Sequence, residues 1–175
     1  MIATDNLLVQ RAASADLRAF DVLVRRYQLP VFRLCLGMLG DEDDAQDAAQ
    51  DTFFMAWRAI GRFRGDAKFS TWLYRIATNR CLKELKRRPQ RTEQLPDLPS
   101  TQSPPDEHFE AIERLAAVAT AVSRLNDEQR IPLLLREVED LTYNEIAEIL
   151  GVTMTAVKSR IYRARVELAR QLVDQ

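Results

Sequence analysis

Apolar residues in this chain recur every three or four positions, the period of a helix buried along one stripe, and nowhere alternate singly as a half-buried strand would. Leu17, Phe20, Val24, Tyr27, Val31, Leu34 and Met38 predict one long helix. Pro30 is expected to kink it, because proline lacks the backbone donor and crowds the preceding turn. A second helix follows, capped by Asp41 or Asp43 and striped by Ala45, Ala49, Phe53, Ala56 and Ile60. Beyond the segment GRFRGDAKFS, a third helix from about Thr71 to Arg88 turns Leu73, Ile76, Ala77, Cys81 and Leu85 inward and Arg75, Asn79, Lys83 and Lys86 outward. The second half reads as four helices, roughly 109–124, 127–138, 143–150 and 154–172. Thr142 with Glu145 forms a capping box, Gly151 suits a left-handed helix end and Thr153 can cap the next helix. A short capped helix, a glycine turn and a longer basic helix make the sequence form of a helix-turn-helix. Pro132 is deeper than the first turn of a helix capped at Asn126, so that helix is expected to start later or to bend. The fold class is all-α.

Between the two halves, PQRTEQLPDLPSTQSPPDEH (89–108) holds five prolines with several Ser, Thr and Gln and no apolar period. Such a stretch stays extended and packs into neither neighbour. The expected organisation is two small helical domains, 1–88 and 109–175, joined by a flexible linker over 89–108.

Composition narrows the class. In 175 residues, 46% are hydrophobic and 29% charged, as in ordinary globular proteins. No apolar run nears the ~20 residues that span a bilayer, and Asp5, Arg11, Asp16, Arg18 and Asp21 interrupt any secretory signal, so a cytoplasmic location is expected. Cys35 and Cys81 are expected to be buried thiols in a reducing compartment, not a disulfide. With one histidine, His108, and no CxxC pair, a structural zinc site lacks ligands, and no metal or cofactor is expected. The net charge of −1 conceals a segregation: −2 over residues 1–62, +7 over 63–91, −9 over 92–150 and +3 over 151–175. Two basic surfaces separated by acidic ones suit a polyanion, so nucleic acid is the leading partner.

On the last helix, Val157, Ile161, Ala164 and Leu168 share one side, while Thr155, Lys158, Ser159, Tyr162 and Arg163 share the other. Lys and Arg donate to guanine O6 and N7, Ser and Thr donate or accept, and Tyr or Thr carbons meet a thymine methyl, so the second face suits a major groove. Arg160 and Arg165 project to the flanks, where phosphates would lie. In the first domain, Phe63, Phe69, Trp72 and Tyr74 surround Arg64, Lys68, Arg75 and Arg80. Rings stack on unpaired bases at about 1–3 kcal/mol each while cations hold the backbone, a combination that stabilises melted strands; Trp72 and Phe69 could also be plain core. The segment DEDDAQDAAQD sets Asp43, Asp47 and Asp51 on one helical stripe beside Asp44 and Gln50. These acids could complement a helix dipole, hold Mg²⁺ for nuclease chemistry, or meet a basic protein surface. No assembled catalytic pocket is legible, and the chain is not expected to be an enzyme.

The run DAQDAAQDTFFMAWRAIGRFRGDAKFSTWLYRIATNRCLKELKRR closely resembles region 2 of extracytoplasmic-function sigma factors, and LNDEQRIPLLLREVEDLTYNEIAEILGVTMTAVKSRIYRARVELAR (125–170) resembles their region 4. The resemblance spans nearly all of the chain except the linker; region 3 of housekeeping sigma factors is absent. It implies a factor that binds core RNA polymerase and directs it to promoters. Asp47, Gln50, Asp51 and Phe54 would meet the clamp helices of the largest subunit, and region 4 the flap of the second-largest. The loop from Phe63 to Ser70, with Arg64, Lys68 and Phe69, would capture a minus-10 base. Trp72, Arg75, Asn79, Arg80 and Lys83 would support the melted strand or duplex edge, while Thr155, Lys158, Ser159, Arg160, Tyr162, Arg163 and Arg165 would engage the minus-35 element. The linker would lie along the path of nascent RNA, and an anti-sigma factor, often membrane-anchored, is implied as a partner. The alternative is a helix-turn-helix regulator that binds duplex DNA as a dimer; it leaves the first domain unexplained. A nuclease using Asp43, Asp47 and Asp51 is a third reading.

Overall fold

The computed structural model describes residues 4–87 and 117–173, all of whose regular structure is helical. The stretch 89–108 and His108 lie outside the described residues. α1 spans Asp5–Ala13, α2 Leu17–Leu39, α3 Glu42–Ala59 and α4 Phe69–Arg87, with a single 3₁₀ turn, Ile60–Arg62, after α3. The second half holds a helical stretch over 117–123 (α5), then α6 Asp127–Glu137, α7 Tyr143–Leu150 and α8 Met154–Val173.

The helix boundaries follow local chemistry. Asp16 starts α2 by accepting from the amides of Arg18 and Ala19 at 3.0 and 3.2 Å, and Arg11 closes on the same carboxylate at 2.7 Å. Gly40 ends α2 at φ 68°, a left-handed conformation that costs glycine least. Asp41, rather than Asp43, caps α3 by accepting from the Asp44 amide at 3.0 Å. α2 runs through Pro30 without interruption, its neighbours Val31, Leu34 and Cys35 being completely buried. α6 starts at Asp127, where Asn126 accepts from the Gln129 amide at 3.0 Å. Of the later start or bend expected from Pro132, the later start does not occur: burial of Ile131, Pro132, Leu133, Leu134 and Leu135 holds the proline in mid-helix.

α2 packs against α1, α3 and α4, with Leu23, Leu34, Met38 and Leu73 deep in the first core. α6, α7 and α8 build a second core around Leu135, Ile146, Val157 and Ile161. Cys35 on α2 and Cys81 on α4 are both buried thiols, not joined as a disulfide, as expected. A hydrogen bond with Cys81 and burial push the Cys35 thiol well above its ordinary pKa, so it is inert in the folded core.

The two cores do not stand apart. α4 packs on α7 and α2 on α6. Gly37 meets Leu134 so closely that a β-carbon there would lie 2.9 Å from its Cδ1. Arg130 donates to the Met38 carbonyl at the end of α2 at 2.9 Å.

Candidate nucleic-acid interface

α8 is placed by its apolar stripe. Val157, Ile161 and Ala164 are at most 1% exposed, and Leu168 is half-buried. The opposite face therefore points outward: Thr155, Lys158, Tyr162, Arg163 and Arg165 are exposed, Tyr162 at 69%, and Ser159 and Arg160 are half-buried. The turn before α8 has the expected chemistry. Thr142 accepts from the Glu145 amide while the Glu145 carboxylate accepts from the Thr142 amide at 2.9 Å, Gly151 lies at φ 65°, and Thr153 accepts from the Ala156 amide at 3.2 Å. Arg163 donates to the Ser159 hydroxyl at 2.9 Å, which lays the guanidinium along the outer face. The Lys158 ammonium sits 5.9 Å from the Tyr143 ring centre. The flanking arginines are tethered to α6, Arg160 to Glu128 at 3.3 Å and Arg165 to Glu137 at 2.5 Å.

The aromatic residues of the first domain form one cluster. Ring centres are 5.1 Å apart for Phe63 and Trp72, 5.7 Å for Phe69 and Trp72, and 6.1 Å for Phe63 and Phe69. Tyr27 extends it from α2, 5.6 Å from Phe69. Phe63 and Trp72 are half-buried, but Phe69 is 2% exposed and wedged between rings, so its place among base-contacting residues is corrected to a core anchor of the loop. Tyr74 is likewise buried. The loop turns at Gly65, φ 76°, with Arg64 bonded to Asp66 at 2.9 Å. A cavity of about 420 Å³ opens beside the loop, lined by Lys68, Phe69 and Ser70 on one side and by Thr4, Asp5, Asn6 and Arg26 on the other. Asp5 accepts from both Arg26 and the Tyr27 hydroxyl, which fixes α1 as one wall. The sequence reading missed α1, whose only buried apolar residues are Leu8, Val9 and Ala12.

Along the outward side of α4, Asn79 and Lys83 are exposed. Arg75 and Arg80 are half-buried and already paired, Arg75 with Glu148 at 2.8 Å and Arg80 with Asp51 at 2.7 Å and Glu84 at 2.9 Å. On α3, Asp47, Gln50, Asp51 and Phe54 are all exposed and occupy one ridge by their spacing, Phe54 at 61%. Arg58 stacks over Phe54 at 5.6 Å. Among the described residues no group of three His, Cys, Asp or Glu side chains gathers as a metal site; Asp43 and Asp47 face solvent on successive turns.

Residues 23–91 match the family described as Sigma-70 region 2, and residues 115–168 that described as Sigma-70, region 4. The chain belongs to the extracytoplasmic-function group of the sigma-70 family. It is an RNA polymerase sigma factor. It is 37% identical to the RNA polymerase sigma-H factor of Pseudomonas aeruginosa, over 96% of this chain and 93% of that one. It is 36% identical to the ECF RNA polymerase sigma-E factor of Haemophilus influenzae, over 93% and 92% of the two chains. Among solved structures, CnrH in complex with the cytosolic domain of CnrY superposes with a TM-score of 0.77 at 30% identity, covering 98% of both chains. The sigma factor RpoE of Bartonella quintana, solved with the anti-sigma factor NepR, shares the fold with a TM-score of 0.71 at 22% identity, over 87% of this chain and 96% of that one. No described helix of this sigma factor is long and apolar enough to cross a membrane.

Proposed function

We propose that this sigma factor engages core polymerase through the α3 ridge and promoter DNA through two separate surfaces, and that it acts wholly by binding. Asp47, Gln50, Asp51 and Phe54 meet the basic clamp helices of the largest subunit, with Phe54 as the apolar anchor inside an acidic rim. The cavity beside the loop receives an unpaired minus-10 base. Lys68 and Ser70 offer donors and acceptors at its edge, while the half-buried rings of Phe63 and Trp72 supply stacking. Asn79, Arg80 and Lys83 follow the backbone along α4. α8 enters the major groove of the minus-35 duplex with Lys158, Ser159, Tyr162 and Arg163 at the base edges. Arg160 and Arg165 exchange their α6 glutamates for phosphates. The second domain also meets the flap of the second-largest subunit.

The observation that carries the reading is the division of labour in one chain. An outward, groove-compatible helix stands on one core, and a polar cavity lined by Lys68, Ser70, Asn6 and Arg26, beside the Phe63–Trp72 ring pair, stands on another. A duplex-only regulator has no use for the second. CnrH is solved in complex with the cytosolic domain of CnrY; for this chain an anti-sigma factor is the expected partner, and the sigma factor works in the cytoplasm. Run-off transcription with purified bacterial core polymerase on genomic fragments tests the reading: discrete transcripts that require this chain are expected. A free dimer that protects a palindrome and never joins core polymerase would overturn it.

A further inference from the structure

The cavity beside the loop has a wall that no sequence motif announces. α1 brings Thr4, Asp5 and Asn6 to it, across from Lys68, Phe69 and Ser70. Most polar groups around this space are already engaged. Asp5 accepts from Arg26 and from the Tyr27 hydroxyl. That hydroxyl has a single proton, so the Ser70 hydroxyl donates its own to the Tyr27 oxygen and keeps only lone pairs for a ligand. Burial and the Asp5 carboxylate push the Tyr27 pKa well up, and the relay from Ser70 through Tyr27 to Asp5 holds at neutral pH. Lys68 is bonded to Glu145 of α7 at 2.8 Å. The side-chain amide of Asn6, exposed on the first turn of α1, has no hydrogen-bond partner among the described residues. Its position is nevertheless fixed: Leu8, Val9 and Ala12 bury the inner side of α1, and the relay ties the start of the helix to the end of the loop.

A base stacked on Phe63 or Trp72 is held whatever its identity, because every base has a π-face. Choosing among bases takes directional donors and acceptors. On the loop side Lys68 is a donor without an acceptor, and Ser70 has spent its proton. An asparagine amide carries an acceptor and a donor side by side in one plane, the pattern that pairs bidentately with a base edge. We infer that Asn6 reads the hydrogen-bonding edge of the unpaired minus-10 base, which makes α1 a promoter-selecting element. The inference rests on the proposed role of the cavity and adds to it a residue outside the loop and α4. The loop and the rings capture a base; Asn6 decides which base stays.

The test uses the full chain in holoenzyme with bacterial core polymerase. The templates are a barcoded library built on a promoter recovered by run-off transcription, with its minus-10 positions randomised, and the transcripts are sequenced. Asn6→Ala is expected to lose at least about 5-fold of the discrimination at one minus-10 position, the lower end of what a bidentate pair contributes. Asn6→Asp, nearly the same shape but an acceptor only, is expected to reorder the four bases at that same position. Gln10→Ala, exposed on α1 and outside the cavity lining, is expected to match wild type. Preferences identical to wild type in both Asn6 variants overturn the inference and leave the cavity reading standing. A loss spread evenly over the element, or loss of all transcription, also overturns it, because α1 would then only support the fold. If wild type itself yields no promoter-specific transcript, the cavity reading falls and the role of Asn6 with it.

Discussion

Ile161→Ala is the sharpest test of how the fold serves the groove-reading surface. Ile161 is 1% exposed, midway along α8, and its side chain lies among the buried residues that join α6, α7 and α8. Alanine removes three carbons. At ~0.8 kcal/mol per buried methylene the transfer loss is about 2.4 kcal/mol. A residual cavity on the order of 50 Å³ adds about 1 kcal/mol at ~24 cal/mol per Å³. The expected cost is therefore about 3–4 kcal/mol. At ~0.05–0.15 kcal/mol per residue, a unit the size of residues 117–173 holds about 3–9 kcal/mol, so the change removes a third or more of what keeps α8 oriented. Urea unfolding followed by circular dichroism reads the loss as a lower midpoint at unchanged slope, and minus-35 duplex affinity should fall with it while binding to core polymerase through α3 persists. Ile161→Val should cost only about 0.5–1.5 kcal/mol and keep DNA affinity. A loss below about 1 kcal/mol for the alanine variant would refute the claim that this residue anchors α8. A full stability loss with wild-type duplex affinity would refute the link from core to groove.

Arg163→Ala should weaken promoter binding by about 1–3 kcal/mol and relax selection within the minus-35 element, which a binding-site selection experiment reads directly; unchanged selectivity would remove Arg163 from base readout. Phe54→Ala, at a position 61% exposed, should leave stability within about 0.5 kcal/mol of wild type and weaken competition with another sigma factor for core polymerase; normal competition would show that the ridge binds elsewhere. Trp72→Ala should impair open-complex formation, seen as permanganate-reactive thymines, more than closed-complex binding. Equal loss of both would make Trp72 a structural residue.

Much of this architecture is legible in the chain because it is local. The capping box at Thr142 and Glu145, the left-handed Gly151 and the Thr153 cap are each decided within four residues, and the structure has all three. The stripe of Val157, Ile161 and Ala164 likewise fixes which way α8 faces. What escapes a sequence reading is chemistry between distant residues. Phe69 and Trp72 look alike in sequence, and only packing against Tyr27 and Phe63 makes Phe69 core. Arg80 shows its charge in the sequence, but not that Asp51 and Glu84 hold it. The hydrogen bonds of α4 with α7 join residues more than 70 apart, beyond any helical period. Their one trace is the opposition of a basic stretch over 63–91 and an acidic one over 92–150. α1 was invisible because a single turn of Leu8, Val9 and Ala12 is too short to establish a period.

The two oxygens of Glu145 divide their work: Oε2 takes the Thr142 amide and hydroxyl, while Oε1 takes Lys68 and Thr71. Oε1 thus serves the contact with the first domain, while the start of α7 is tied by Oε2 to a residue of its own turn. One carboxylate joins a long-range contact to a local helix start, and the local bonds do not draw on the distant ones.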